Sequence, residues 1–392
     1  MTTRSTLYSS TPLANLPACR FGLLSTYPPK FCGLATFAAA LEGGLKERGH
    51  RVDIVRINDG DPDLAVGLPV AGELRNGVAA SIRKAAAVLS RCDTAIIQHE
   101  YGIYGGPDGA EVIDLLKAVS VPTIVVLHTV PLDPTPNQRD LLIEIASLAS
   151  GVVVMTQTAH DRLIERYPID PTKLTVIPHG AAIPTSESFP SDGPRQQLLT
   201  WGLLGPGKGI EHVIDALAAL GDLHPRPRYT VAGVTHPKVF ARCGDEYRHS
   251  LIERTFALKV APNVSFDDTY RDVAQLTRFV ASASVVVLPY DSRDQITSGV
   301  LVDAIAAGRP VIATGFPHAV ELLSGGAGIV VPHGDPDALA QAIGAVLTDP
   351  TLLAEMGAAA ARIAPTLSWS AVAEQYAALT DHLAVAAEAI AI

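Results

Sequence analysis

The chain has 392 residues, 48% of them hydrophobic and 18% charged, with a formal net charge of -10 at pH 7. A composition this apolar excludes an intrinsically disordered protein, and the length favours two domains, since single cores rarely grow beyond ~250–300 residues. The acidic balance argues against a nucleic-acid partner, and no apolar run approaches the ~20 residues of a membrane-spanning helix.

The amino-terminal residues 1–17 are rich in Ser and Thr and lack an apolar core, so we expect no secretory signal. The four cysteines have neither paired nor metal-like spacing, and we interpret them as reduced thiols. These features predict a cytoplasmic protein without a transmembrane segment. Peripheral contact with the inner membrane face stays open. The cysteines are Cys19, Cys32, Cys92 and Cys243.

In the first half of the chain, short runs of Val, Ile and Leu alternate with longer amphipathic stretches. Continuously apolar strands separated by helices predict a parallel sheet covered on both faces. The predicted strands are 21–25, 52–57, 95–98, 123–127, 152–155 and 174–177, and the helices include 34–48, 77–90, 110–119 and 137–148.

A stretch rich in Pro, Ser and Gly at 183–194 has no periodicity and is interpreted as a linker. The alternation then restarts, so we predict an α/β protein with two Rossmann-like, doubly wound domains facing each other across a cleft, at 1–183 and 197–366. The last segment, 367–392, is amphipathic and helical. From its pattern alone it could finish the second domain or cross back onto the first. The second-half strands are 198–204, 229–234, 264–266, 284–288, 311–314 and 328–331.

Polar residues follow three predicted strands of the first domain. Gly33 opens a helix after the first strand, at the edge where open α/β sheets bind ligands, although an ordinary turn would explain it as well. His128 ends another strand, and by itself it is most simply a core histidine bonded to backbone. His99, Glu100 and Tyr101 end a third strand and either face a bound ligand or form a buried polar network.

Two loops of the second domain have the composition of phosphate-binding turns. The segment 201–209 is rich in glycine and places Lys208 at a helix start, where a flexible turn with a solvated lysine is the alternative. Thr297, Ser298 and Gly299 lie at a strand–loop–helix junction, which directs backbone N–H groups and a helix dipole at one point. Together the two loops favour a phosphate-lined cleft.

These motifs together resemble the retaining nucleotide-sugar glycosyltransferases of family four (group one), which have two facing Rossmann-like domains in the GT-B architecture. The resemblance covers nearly the whole chain. It implies that the last helix packs back on the first domain. The matching positions are Gly202, Leu204, Lys208 and Gly209 in the glycine-rich loop; Gln295, Asp303, Ala304, Gly308, Pro310 and Val311 in the Glu-x7-Glu element; and Gly33, His128, Ser368, Trp369, Val372, Ala373 and Tyr376 elsewhere.

The chain departs from the family pattern at three places. The loop arginine is Leu203, and the two motif glutamates are Gln295 and Asp303. The Gln-x7-Asp variant is similar to a less studied bacterial branch with its own version of these motifs. We expect Arg293 to replace the missing diphosphate-binding arginine, and Arg248 is the second candidate.

The resemblance implies a role for each matched residue. Lys208, Arg293 and the backbone N–H groups of Gly33 and of residues 297–299 would bind the donor diphosphate, with no metal and no cofactor required. Asp303 would accept hydrogen bonds from the ribose. Gln295 and His128 would touch the transferred sugar, so His128, Lys208 and Gln295 form the expected catalytic set.

The expected reaction is transfer of a hexose from a nucleoside diphosphate to a saccharide or other hydroxyl acceptor, bound near His99, Glu100 and Tyr101. Because the amide of Gln295 cannot act as a carboxylate nucleophile, we expect retention by attack on the face of the departing phosphate. Family breadth favours mannose and a GDP-sugar, with UDP- or ADP-sugars as alternatives. An epimerase or phosphorylase on the same fold and a catalytically silent relative that binds sugar nucleotides are the competing hypotheses.

Overall fold

The computed structural model describes residues 18–30, 32–58, 70–184 and 196–390. The expectation of no secretory signal in 1–17 lies outside these residues, as does most of the predicted linker at 183–194. All four cysteines are unpaired thiols.

Apolar, β-branched runs form the strands of two sheets, one in each half of the chain. The run Val285–Leu288, for example, is buried at every position, as expected for a strand covered on both faces. The strands are β1 (Arg20–Ser25), β2 (Arg51–Asn58), β3 (Gly72–Arg75), β4 (Thr94–His99), β5 (Thr123–Leu127), β6 (Gly151–Val154), β7 (Leu174–Val176), β8 (Gln197–Trp201), β9 (Arg228–Ala232), β10 (Val264–Asp267), β11 (Val285–Leu288), β12 (Val311–Thr314) and β13 (Gly328–Val331).

Strand order is β3-β2-β1-β4-β5-β6-β7 in the first sheet and β10-β9-β8-β11-β12-β13 in the second. The pairings are parallel, which confirms the predicted pair of doubly wound α/β domains. In each sheet the chain reverses its direction of growth at the central pair, β1 with β4 and β8 with β11. Open α/β sheets bind ligands at the carboxyl ends of the strands beside such a reversal. The loops after these four strands therefore mark where a site belongs.

Amphipathic helices cover both faces of each sheet. Several begin at side-chain caps, and two have complete capping boxes, Thr135 with Gln138 and Asp272 with Gln275. The helices are α1 (Gly33–Glu47), α2 (Ala79–Leu89), α3 (Glu111–Ala118), α4 (Pro136–Leu148), α5 (Gln157–Arg166), α6 (Ile210–Ala219), α7 (Pro237–Cys243), α8 (Glu246–Ala257), α9 (Val273–Ala281), α10 (Gly299–Ala306), α11 (Pro317–Leu323), α12 (Pro336–Thr348), α13 (Pro350–Ile363) and α14 (Trp369–Ile390).

Helix α14 leaves the second domain and packs against α1 of the first. Its residues Val372, Ala373 and Tyr376 are fully buried and join one apolar cluster with Phe21 and Phe37. Burying such side chains typically contributes about 1.5–3 kcal/mol each, so this contact ties the two domains together. The chain thus crosses between the domains a second time at its carboxyl end.

Candidate functional site

A cavity of about 620 Å³ lies between the two domains, at the carboxyl ends of both sheets. Its volume is within the range of pockets that hold small molecules and cofactors. Both domains supply its wall. The first-domain wall includes Gly33, Phe37, His128 and His179, and the rest of the wall includes Gly202, Val273, Thr277, Thr297, Gly299, Asp303 and Trp369.

The amino-terminal ends of two helices, one from each domain, line this cavity. Helix α1 begins at Gly33 after the cap Cys32, and α10 begins at Gly299 after the cap Ser298. No described heavy atom lies within 4 Å of the position that a Cβ would take at Gly33, so space is open there. A helix start offers unpaired N–H groups and a partial positive charge, which together favour an anion.

Within the loop before α10, the three predicted phosphate contacts differ. Thr297 lines the cavity, and its buried Oγ1 has no hydrogen-bond partner among the described residues. The Ser298 N–H donates to His318 Nδ1 at 2.8 Å, and Ser298 Oγ accepts from Leu301 N at 3.3 Å. Ser298 therefore caps the helix, and its N–H is already satisfied in this structure. Of the three predicted phosphate contacts, Thr297 and Gly299 therefore remain available to a ligand.

Lys208 lies beside the cavity rather than in its wall. Its Nζ is 4.5 Å from the centroid of the Tyr290 ring, and burial lowers the pKa of the ammonium. Among the described residues, no carboxylate comes within 4.0 Å of Nζ. A half-buried cation held over an aromatic face without a counter-ion is suited to receive an anionic ligand.

The backbone fixes where Lys208 stands. Gly209 has φ +64°, and a Cβ there would lie 1.8 Å from the carbonyl oxygen of Pro289. Only glycine fits that close approach in a left-handed conformation. The Asp291 N–H also donates to the Gly207 carbonyl at 3.0 Å, so the lysine loop and the end of β11 form one unit.

The two candidates for the missing arginine occupy different surroundings. Arg293 is exposed to solvent and lies outside the cavity wall. Arg248 is half-buried and donates to the Gly233 carbonyl at 2.9 Å. A Cβ on Gly233 would lie 1.9 Å from the carbonyl oxygen of Gly202, which lines the cavity. Arg248 therefore bonds to a residue that packs directly against the cavity wall. Arg248 is therefore the better placed of the two. The role of Arg293 stays a prediction, since its side chain has no hydrogen bond or ion pair among the described residues.

Asp303 and Gln295 carry the variant motif. Asp303 lies one turn into α10, borders the cavity, and has a carboxyl pKa raised by burial to about 7. Gln295 is half-buried outside the wall, and its Nε2 donates to the Thr297 carbonyl at 3.4 Å. Its direct contact with a sugar stays a prediction.

His128 borders the cavity from the first domain. Its Nε2 lies 2.6 Å from Gln98 Oε1, and burial lowers its pKa to about 3, which keeps the imidazole neutral. His179, to which the sequence assigned no role, reaches across to the second domain. Its Nε2 lies 3.0 Å from the position of a Cβ on Gly299, so it fills the space beside the start of α10.

An aromatic cluster supports these histidines. The Phe37 ring meets His128 at 4.9 Å, His179 at 5.0 Å and Trp369 at 5.0 Å, each edge to face. A Cβ on Gly180 would lie 2.4 Å from the Trp369 ring, so the crossover helix packs directly behind the site. Sequence patterns did not predict this cluster, because its members come from four separate segments of the chain.

Of the three predicted acceptor-side residues, only Glu100 remains partly open. His99 is fully buried, and neither ring nitrogen has a partner among the described residues. Tyr101 is 9% exposed, and its hydroxyl donates to the Gln138 carbonyl at 3.3 Å. Direct contact with an acceptor is therefore not available to His99 or Tyr101 in this structure. Glu100 accepts from the Thr129 hydroxyl.

Two carboxylates of the second domain accept hydrogen bonds from the first domain. Asp294 Oδ1 accepts from Arg162 at 2.5 Å, and its Oδ2 accepts from Leu132 N at 3.0 Å. Glu321 accepts from the backbone N–H groups of Gln157 and Thr158, at 2.7 and 2.9 Å, and so caps the start of α5. These contacts hold the two domains in one relative position.

Asp294→Ala is expected to lower the free energy of unfolding by about 1–3 kcal/mol. Arg162, only 8% exposed, would lose its counter-ion while staying buried. Urea denaturation of Asp294→Ala measures the change, with the exposed Asp222→Ala as the matched control. If Asp294→Ala and Asp222→Ala have the same free energy of unfolding, the ion pair does not stabilise the fold.

One cluster of possible metal ligands occurs among the described residues, formed by Glu211, His212 and Asp291. Its groups bind other protein groups: Tyr247 donates to Glu211 at 2.7 Å, and His212 Nε2 lies 3.2 Å from Asp291 Oδ1. Asp267, which lies outside this cluster, accepts from Arg271, and this contact lowers its carboxyl pKa to about 2.

The comparisons with known protein families cover both domains. Residues 31–183 match the model described as Glycosyltransferase Family 4, and residues 195–349 match the model described as Glycosyl transferases group 1. Within the described residues, every helix is too short or too polar to cross a bilayer.

Curated relatives share moderate identity with the chain. The D-inositol 3-phosphate glycosyltransferase of Corynebacterium glutamicum is 30% identical over 251 residues, covering 60% of this chain and 58% of that protein. The protein of the same name from Streptomyces griseus is 29% identical, over 61% of this chain and 56% of its own. The chain thus matches less than two thirds of the length of these relatives.

Solved structures share the architecture at low identity. HepE of Anabaena, in complex with UDP and glucose, superposes with a TM-score of 0.72 at 17% identity, covering 93% of this chain and 100% of that one. Sucrose-phosphate synthase of Thermosynechococcus elongatus gives a TM-score of 0.69 at 19% identity, with 94% and 100% covered. Both likenesses support the GT-B fold.

Proposed function

The chain belongs to the group 1, family 4 glycosyltransferases, and we propose that it transfers a hexose from a nucleoside-diphosphate sugar to a hydroxyl acceptor with retention of configuration. The observation that carries the proposal is the pair of helix starts, Gly33 and Gly299, that line one cavity from opposite domains. A diphosphate is the group whose charge both ends would stabilise.

In the proposed reaction, the bond between the anomeric carbon and the diphosphate oxygen breaks, and its electron pair stays on that oxygen. Lys208 and the helix starts stabilise the negative charge where it develops, which is the larger part of catalysis in such sites. The acceptor hydroxyl oxygen attacks the same face of the sugar. Its proton passes to the departing diphosphate oxygen, so no enzyme carboxylate is needed as nucleophile. The amide of Gln295 supports this route, since it cannot form a glycosyl ester.

The nucleoside half of the donor belongs in the second-domain side of the cavity. The Asp303 carboxylate accepts from ribose hydroxyls there, and Val273 and Leu276 provide an apolar wall for the base. We propose GDP-mannose as the donor from the family resemblance. The UDP and glucose bound to HepE make UDP-glucose the alternative to test beside it.

A donor screen tests the proposed function. Thermal shift with GDP-, UDP- and ADP-sugars identifies the base, because a donor at 100 times its Kd stabilises the fold by about 2.7 kcal/mol. Nucleotide release is then measured with and without an acceptor panel of saccharides and D-inositol 3-phosphate. Release that depends on an acceptor supports transfer. Release or isomer formation without an acceptor supports a phosphorylase or epimerase, and binding without turnover supports a silent relative.

Transfer is expected to continue in excess EDTA at no less than about half its rate, because a lysine and two helix starts supply the charge that a divalent cation would bring. The assay is acceptor-dependent nucleotide release, repeated after adding Mg²⁺ or Mn²⁺. A rate that collapses in EDTA and returns with either ion would contradict metal independence. The variant Asp291→Asn would then test the cluster of Glu211, His212 and Asp291.

A further inference from the structure

Gln98 is a fully buried amide that contacts a residue of the cavity wall. It lies in β4, and its Oε1 is 2.6 Å from Nε2 of His128, the residue directly after β5. The Gln98 backbone carbonyl accepts from the Tyr104 hydroxyl, also at 2.6 Å. The amide is therefore anchored in the core, with one end against the imidazole. The proposed reaction gives Gln98 no role.

The surrounding core leaves the His128 ring little freedom. Leu23, Ile96 and Val126 pack in the cluster between the first sheet and helices α1 and α14, and Gln98 follows Ile96 by two residues on that same face. Phe37 from α1 packs edge to face on the imidazole at 4.9 Å. The ring is held between an aromatic edge and an amide.

The hydrogen bond determines which ring nitrogen carries the proton. Burial keeps His128 neutral, and a neutral imidazole has one N–H and one lone pair. A carbonyl oxygen can only accept, so the nitrogen facing Gln98 Oε1 carries the hydrogen. Nδ1 is then left with the lone pair, ready to accept from a hydroxyl.

The other end of the amide lies on the same sheet face as Ser25 of the neighbouring strand. Gln98 Nε2 and Ser25 Oγ are both buried without a partner among the described residues. The two residues come directly after Leu24 and Ile97, which pair between β1 and β4. A hydroxyl opposite an amide N–H is a complementary pair that one shared water would satisfy. The polar row of Ser25, Gln98 and His128 thus runs across three strands and ends at the cavity.

We propose that Gln98 is a positioning residue that fixes His128 as the Nε2–H tautomer and presents its Nδ1 lone pair to a hydroxyl of the transferred sugar. The inference rests on the proposed function, because it assumes a sugar in the cavity. Its structural part, the tautomer, holds with or without a substrate.

The Gln98→Glu variant tests the role through a pH profile. A carboxylate beside the imidazole favours its protonated form, so His128 would gain a proton near neutral pH and lose its acceptor. The value of kcat/KM is expected to fall about tenfold per pH unit below the new pKa and to recover at higher pH. The wild-type profile should lack this fall and show only the change that comes from the Asp303 carboxyl, whose pKa burial raises to about 7, so the variant is read as a ratio to wild type at each pH. A loss that is equal at all pH values would overturn the positioning role.

Tyr104→Phe is the matched control. It removes the hydrogen bond to the Gln98 backbone carbonyl and leaves the amide–imidazole contact in place, so the pH profile should remain that of wild type. A Tyr104→Phe profile that shifts as in Gln98→Glu would show that any disturbance of this core has the same effect, which would also overturn the proposal.

A second measurement needs no substrate and no folded Gln98→Glu protein. Nitrogen NMR of histidine-labelled wild-type protein, with the His128 signals assigned by their loss in His128→Ala, shows directly which ring nitrogen is protonated. We expect hydrogen on Nε2 and a bare Nδ1; hydrogen on Nδ1 would overturn the inference. If the tautomer is as expected but the donor screen shows no transfer, the proposed function fails and the assignment of the amide–imidazole contact stands.

Discussion

Lys208→Ala is expected to lower acceptor-dependent turnover by about 10²–10³, the cost of losing one strong charge contact in a transition state. The ammonium stands half-buried over Tyr290 with no carboxylate beside it among the described residues, so the diphosphate would be its main partner. Steady-state kinetics with a saturating donor measures the effect. Because the charge matters most as the bond breaks, kcat should fall more than the affinity for the donor.

Two controls accompany that variant. Lys238→Ala removes an exposed lysine at the start of α7 and should leave turnover unchanged. Lys208→Arg keeps the charge on a bulkier, planar group and should retain part of the rate. The fold should survive in Lys208→Ala, since the contact with Tyr290 contributes only about 0.5–2 kcal/mol. Unchanged turnover in a folded Lys208→Ala protein would remove the central cation from the proposed mechanism.

Asp303→Asn is expected to weaken nucleotide binding and to stabilise the free protein at the same time. The lost ribose contact, a hydrogen bond to a charged group worth about 1.5–3 kcal/mol, predicts a Kd roughly 10–100-fold higher. Isothermal calorimetry with the nucleoside diphosphate measures this. A trade-off between stability and binding is typical of buried charges kept for a ligand.

The stability effect should depend on pH. Burial raises the pKa of the Asp303 carboxyl from 3.8 to about 7, so between these values the folded protein holds a proton that the unfolded chain releases. Wild-type stability therefore falls as pH rises through this window, and Asp303→Asn removes that loss. The variant should be more stable by roughly 1–3 kcal/mol at pH 8 and about equal near pH 4.

Thermal unfolding of both proteins across this pH range, with Asp222→Asn as an exposed control, checks the pH dependence. A variant that is less stable than wild type at pH 8 would mean that the carboxylate is already satisfied by the protein. The calorimetric arm would then also be expected to show little change, because a satisfied carboxylate has less to offer a ribose.

Local sequence was sufficient for most strands. The predicted strand 123–127 is β5, Thr123–Leu127, and 52–57 lies within β2, Arg51–Asn58. The edge strand β3, Gly72–Arg75, was missed because its four residues include Gly, Glu and Arg and carry no apolar run. Helix α5 was not given bounds; it is largely polar, and part of its amino-terminal capping comes from Glu321 of the other domain.

Some residues of the candidate site were also predictable from local sequence, and others were not. A glycine at a helix start or a lysine after a strand is visible as a pattern, so Gly33, Gly299 and Lys208 could be selected without coordinates. The acceptor trio could not be resolved: His99 and Tyr101 are in the core, and only Glu100 is partly open. Whether a side chain at a strand end faces a cavity depends on what packs over it, which a single sequence does not state.

The order of apolar and polar residues by itself determined the two parallel sheets and the loops at their carboxyl ends, because strand burial and helix capping are local consequences of residue type. Only the tertiary structure decided which groups are free. The Ser298 N–H donates to His318, 20 residues away, and Asp294 accepts from Arg162, 132 residues away. Hydrogen-bond partners and desolvation are set by elements distant in the chain, so both appear only once the domains are assembled.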